Sequence, residues 1–120
     1  MAIEIGSKGL VEANLIIPQG ASLPFTIVHK DEAGHAVDHT GATVHMAFQT
    51  KDGKTSYDMS PYCTGVSTGI SVLLPANVTK ELPKGKFLWD MFSELPNGGD
   101  TFRIAYGTVT VEDTYALDGD

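Results

Sequence analysis

Gly20-Ala21-Ser22-Leu23-Pro24-Phe25-Thr26-Ile27-Val28 leads through Asp31-Glu32-Ala33-Gly34 and Asp38-His39-Thr40-Gly41-Ala42-Thr43 into Val44-His45-Met46-Ala47-Phe48. Leu23, Phe25 and Ile27 alternate with Pro24 and Thr26, the period of two that sends one set of side chains to a core. Pro24 cannot donate to a ladder, so this strand belongs at a sheet edge or has Pro24 at its start. Two turn signals follow in succession, each built on Asp and Gly. Val44, Met46 and Phe48 then face one way while Thr43, His45, Ala47 and Gln49 face the other. Strand, polar turn, strand is the grammar of an all-β fold.

The rest of the chain repeats it. Upstream, Val11, Ala13, Leu15 and Ile17 mark a first strand that Pro18-Gln19-Gly20 ends. Downstream, Asp52-Gly53 predicts a hairpin whose return strand is short, Thr55 to Met59. Ile70, Val72 and Leu74 form the next strand. Pro75 to Leu82 loses the period of two, and Pro75 with Val78 and Leu82 predicts a helical turn over 76–82 that crosses between sheets. Phe87, Trp89 and Met91 give the heaviest apolar strand, expected to be covered on both faces over part of its length. In the last strand, Thr101 to Glu112, Phe102, Ile104 and Tyr106 share one parity while Val109 and Val111 share the other. A one-residue bulge accounts for that break, and Gly107 is its expected position.

About seven strands with turn signals at roughly 8–12-residue spacing predict a single immunoglobulin-like antiparallel β-sandwich. The expected core is Leu15, Phe25, Ile27, Val44, Met46, Phe48, Ile70, Val72, Phe87, Trp89, Ile104 and Val109. Residues 1–10 read as a flexible arm, 11–113 as the sandwich and 114–120 as a polar tail.

Composition narrows the function. The 120 residues are 42% hydrophobic and 19% charged, ordinary for one folded domain. Eight Lys and Arg against fifteen Asp and Glu give a net charge of −7, which argues against a phosphate backbone as partner. Lys80, Lys84 and Lys86 read as a solvated strand end. No stretch has the ~18 apolar residues of a membrane span, and the N-terminus reads as no secretory signal. Without secretion Asn77-Val78-Thr79 is a silent glycosylation sequon.

The candidate reactive groups are few. Cys63 is the one cysteine, so neither an internal disulfide nor a thiolate zinc site is available. His29, His35, His39 and His45 read as scattered loop and surface side chains rather than a shared metal site, because the turns between them remove any helical spacing. Asp90 interrupts an apolar strand, but one acid is no glycosidase dyad. No nucleophile elbow, phosphate-binding glycine loop or dinucleotide fingerprint occurs. An enzyme is not expected, nor is a cofactor or metal.

The pattern G-x-x-x-x-F-x-(I/V), then D-x-x-G-x-x-x-D-x-(T/S)-G-A-T, resembles the opening of small β domains in tailed-phage tails and baseplates. N-terminal domains of baseplate upper proteins and fibre-anchoring adaptors are the nearest of these. The resemblance continues through Gly85-Lys86-Phe87-Leu88-Trp89-Asp90 to Gly107-Thr108-Val109-Thr110-Val111. It implies a structural Asp90 that takes backbone N–H groups at a sheet corner. It also implies a virion location and a structural role as a tail, baseplate or neck adaptor that docks a fibre or decorates a junction. The expected partners are other virion proteins, in a homo-oligomeric ring set by particle symmetry, with no nucleic acid and no membrane. Such domains open longer fibre proteins, whereas here the sequence stops just after the domain, which favours an adaptor over a receptor binder. Two alternatives stand beside it: a capsid decoration or cement protein, and a carbohydrate-binding module whose glycan contacts would be Tyr57, Tyr62 and Tyr115.

Overall fold

Among the described residues, ten strands in two facing sheets bury the two alternating runs against each other. A computed structural model describes residues 2–5, by backbone alone, and residues 11–114. The strands are β1 (Ala2–Ile5), β2 (Val11–Glu12), β3 (Leu15–Pro18), β4 (Leu23–His29), β5 (Thr43–Gln49), β6 (Ser56–Asp58), β7 (Cys63–Val66), β8 (Gly69–Leu74), β9 (Gly85–Glu94) and β10 (Thr101–Glu112). The smaller sheet has the order β1-β4-β8-β7, the larger β10-β9-β5-β6 with β2 and β3 on the outer edge of β10. Strands β4 to β10 pair with one another antiparallel. Six of the seven expected strands are among them; the expected first strand is split into β2 and β3, and β7 was not anticipated. Within β4 to β10 three connections cross between the sheets, β4 to β5, β6 to β7 and β8 to β9, and the link from β3 to β4 crosses as well. The result is an all-β sandwich in which the order of β4 to β10 is immunoglobulin-like.

The N-terminal strands depart from a purely antiparallel sandwich. β1 pairs parallel to β4, and β2 and β3 pair parallel to β10. Residues 2–5, expected to lie in a flexible arm, therefore form a strand. Pro24 fits its place in β4, because β1 covers only Thr26 to His29 and leaves the proline beyond the ladder. The Asp52-Gly53 hairpin forms as expected, with Gly53 at φ 75° and the Asp52 carboxylate accepting from the Lys54 N–H at 2.9 Å. The helical turn also forms. α1 (Ala76–Thr79) follows Pro75, and its hydrogen bonds continue to Leu82. Thr79 Oγ1 donates to the Ala21 carbonyl at 2.8 Å, pinning the crossing to the turn before β4.

All twelve expected core residues are buried, joined by Ile17, Met59, Leu74, Leu82, Met91, Ala105 and Val111. The bulge is not at Gly107. Register shifts between Arg103 and Ala105, so Ile104 is the inserted residue. Ile104 and Ala105 are consecutive and both buried, and Tyr106 consequently faces outward rather than sharing Ile104's side. Gly107 pairs in register with Trp89 and answers a different need. Between β2 and β3 the Ala13 carbonyl turns inward to accept the Trp89 indole N–H at 2.8 Å. It passes so close to Gly107 that any Cβ there would overlap its oxygen. Asn14 Oδ1 fills the resulting gap in the ladder by accepting from the Thr108 N–H and hydroxyl.

Candidate functional site

Three polar side chains occupy core positions and touch one another. His29 continues the inward series Phe25, Ile27 on β4, and Ser93 continues Phe87, Trp89, Met91 on β9. Between them, His39 descends from the connection that joins the two sheets. Their residues are 2%, 0% and 0% exposed for His29, His39 and Ser93, so solvent does not reach them. His29 Nδ1 lies 2.9 Å from His39 Nε2, and His39 Nδ1 lies 2.8 Å from Ser93 Oγ. Phe102 closes the cluster with its ring edge-on to His29, centroids 4.9 Å apart. One hydrogen-bonded chain thus runs from the smaller sheet to the larger.

Local sequence explains how His39 is aimed inward. The Asp38 carboxylate accepts the Thr40 N–H at 2.8 Å, tightening the turn around His39. The His39 N–H donates to the Val66 carbonyl at 2.9 Å, and its own carbonyl accepts from Ala42. Gly65 on β7 permits this docking, because a Cβ there would meet the His39 carbonyl. The expectation of scattered surface histidines therefore fails for His29 and His39. It holds for His35 and His45, which are exposed.

Burial lowers the pKa of both His29 and His39 from the ordinary 6.5, opposed by the Asp31 charge at His29 and the Asp38 charge at His39. The neighbouring His29 lowers His39 further. Geometry agrees: one proton fits between Nδ1 and Nε2 at 2.9 Å, so protonating both rings sets two N–H groups against each other. With both rings neutral the chain runs equally well from Ser93 to His29 or in reverse. A serine bonded to a histidine is the start of a nucleophilic pair, but these atoms are sealed under both sheets.

Asp90 departs from its expected corner role. It sits mid-strand on the outer face of the larger sheet, and its carboxylate makes no hydrogen bond with the described residues. The half-buried Tyr57 and Tyr62 pack against the core, Tyr57 with its ring T-shaped to Phe87 at 5.8 Å. Tyr115 lies outside the described residues, as does most of the expected tail; Thr114 is tied to the Gln19 carbonyl at 2.6 Å. Lys84 pairs with Asp113. Among the described residues no group of three His, Cys, Asp or Glu converges as a metal site, and no helix is long and apolar enough to cross a membrane.

Cys63 opens β7 with its Sγ 3.7 Å from Met46 Sδ and 3.5 Å from the Met59 carbonyl. Burial first, then the Asp58 charge, pushes its pKa up to about 12. Only the thiolate attacks electrophiles, so at pH 8 alkylation by iodoacetamide is expected to be about a thousandfold slower in the folded chain than in guanidinium. Comparable rates in the two conditions would show a thiol far more exposed and acidic than this packing allows.

No family model matches the chain, and no curated protein matches it.

Proposed function

We propose that this domain is a structural component of a tailed-phage particle, an adaptor in the tail, baseplate or neck that works by protein–protein assembly. The sequence resemblance motivates the reading, and one observation about the surface carries it. Ile16 on β3 and Leu73 on β8 are 58% and 53% exposed and lie on the outer faces of opposite sheets. Leu73 stands across from the exposed Pro24, extending its apolar spot. Contact points on opposite faces suit a subunit with a neighbour on each side, the heterologous contact that closes into a ring. The Ser93–His39 pair and Cys63 are turned inward, which fits a module whose task is contact rather than turnover.

Mass spectrometry of gradient-purified particles from cultures that carry the gene tests the proposal. The chain is expected in the particles at a stoichiometry fixed by tail or neck symmetry. Ile16→Asp and Leu73→Asp, both at exposed positions, are expected to leave the fold intact and reduce incorporation. Absence from particles overturns the proposal, and a copy number matching the capsid lattice replaces the adaptor with a cement protein.

A further inference from the structure

A trough crosses the outer face of the larger sheet, and its origin is Ala47. Register aligns Tyr106, Asp90, Ala47 and Asp58 in one row across β10, β9, β5 and β6. Alanine leaves a gap in that row, walled along the neighbouring rows by Gln49 and Leu88 on one side and by His45 and Phe92 on the other. The first hollow, of about 380 Å³, lies between Gln49, Leu88, Asp90, Arg103 and Tyr106. A second of about 320 Å³ shares Ala47 and Asp90 with it and reaches Asp58. A third of about 390 Å³ shares His45 and Phe92 with the second and ends at Glu94 and Thr101. The hollows therefore adjoin, giving an elongated site rather than a single cup.

The groups around the first hollow have unused capacity, whereas farther along His45 is bonded to Glu94 at 2.7 Å and the Asp58 carboxylate accepts the Ser60 N–H at 2.9 Å. The Asp90 and Gln49 side chains make no hydrogen bond with the described residues. The Arg103 guanidinium stacks 5.1 Å above the Tyr106 ring and meets no carboxylate among them. Asp90, Phe92 and Tyr106 are half-buried, so the surrounding sheet already restricts them. The apolar part of the surface comes from Leu88, Phe92 and Tyr106.

We infer that this trough binds a neutral oligosaccharide. A sugar ring offers C–H faces to aromatic and aliphatic surface and hydroxyls to side chains at its edge. A carboxylate, a guanidinium and an amide around one hollow can accept from and donate to such hydroxyls. A polyanion is disfavoured, because Asp58 and Asp90, with Glu94 already paired to His45, outnumber Arg103 along the trough and the whole chain carries −7. A peptide that adds to a sheet needs an edge with free main-chain groups, whereas the middle of the trough lies over β9, which is paired on both sides from Leu88 to Glu94. The ligand must be read by side chains alone, along a face long enough for more than one ring. This site is distinct from Tyr57 and Tyr62, and it does not depend on a place in the virion.

The test is an array of neutral and sialylated oligosaccharides probed with the full chain, followed by calorimetry with the strongest neutral binder. Binding to neutral glycans is expected. Asp90→Ala is expected to weaken it at least about tenfold, the loss of hydrogen bonds to a charged acceptor. Ala47→Leu, which fills the hollow from an outward-facing position, is expected to abolish it. Gln49→Ala, at an exposed position, gives a second reading if Asp90→Ala perturbs the fold, as judged by circular dichroism. Leu73→Asp, on the opposite sheet, should bind normally, so failure of the assembly proposal is separable from failure of this one. An array silent on neutral glycans, binding confined to sialylated ones, or affinity unchanged by both Asp90→Ala and Ala47→Leu overturns the assignment.

Discussion

Between pH 7 and pH 5 the domain is expected to lose folding stability through His29 and His39, about 1.4 kcal/mol for each unit by which a ring's pKa is lower in the fold than in the unfolded chain. The sign follows from burial. Both pKa values lie lower in the folded chain than the 6.5 of an exposed imidazole. Above 6.5 neither state binds the protons and stability is intact. As pH falls below 6.5 the unfolded chain takes up two protons that the fold resists, each histidine costing about 1.4 kcal/mol per pH unit until its folded pKa is reached. For a domain of this size, stable by roughly 5–15 kcal/mol, a loss of even one such unit is readily measured. Carboxylates titrate mostly below this window, and Asp38, Asp52 and Asp58 are shifted further down by hydrogen bonds from their own turns. Urea unfolding at steps between pH 7 and pH 5 isolates the effect. His29→Gln keeps an amide donor and acceptor but no titrating group, and is expected to roughly halve the slope. A wild-type profile flat across the window would mean that the two rings titrate in the fold as they do in the unfolded chain.

That cluster also shows which part of the fold a reader could have anticipated. The sandwich was legible because parity is a local property: Val44, Met46 and Phe48, or Phe87, Trp89 and Met91, declare a buried face without reference to anything distant. Extending the same parity by one step reaches His29 on β4 and Ser93 on β9. A polar residue on an inward parity has to find a partner, so both positions carried a readable signal. His39 carried none, because its aim depends on Gly65 and Val66 some 26 residues away. The edge pairings were hidden for the same reason. Nothing in Ala2–Ile5 or Leu15–Pro18 states that they lie parallel to β4 and β10, since parallel partners share no hairpin turn. The trough was likewise invisible. It exists because the insertion of Ile104 turns Tyr106 outward beside Asp90, and a parity break alone does not say which residue is inserted.

Gly107 was singled out from that parity break, and its replacement is expected to be among the most damaging small substitutions at the described residues. Its φ of 153° is one that side-chain-bearing residues rarely adopt, and its missing Cβ is where the Ala13 carbonyl passes. Gly107→Ala adds strain of about 1–3 kcal/mol at that backbone conformation. It also drives the Ala13 carbonyl away from the Trp89 indole, so a total near or above 3 kcal/mol is expected. The thermal midpoint should fall by more than about 10 °C. Trp89→Phe keeps a large ring in the core but removes the N–H, leaving the Ala13 carbonyl without its partner at a cost of about 1–3 kcal/mol. Both changes act on one contact, where the segment from Val11 to Pro18 is fastened to β10. Their combined effect is therefore expected to be smaller than the sum, measured by a double-mutant cycle in urea. Asn14→Ala, which loosens the neighbouring ladder gap without touching Trp89, should add to Trp89→Phe more nearly in full. Gly107→Ala with stability within about 0.5 kcal/mol of the parent would show that Ala13 does not pass over this position.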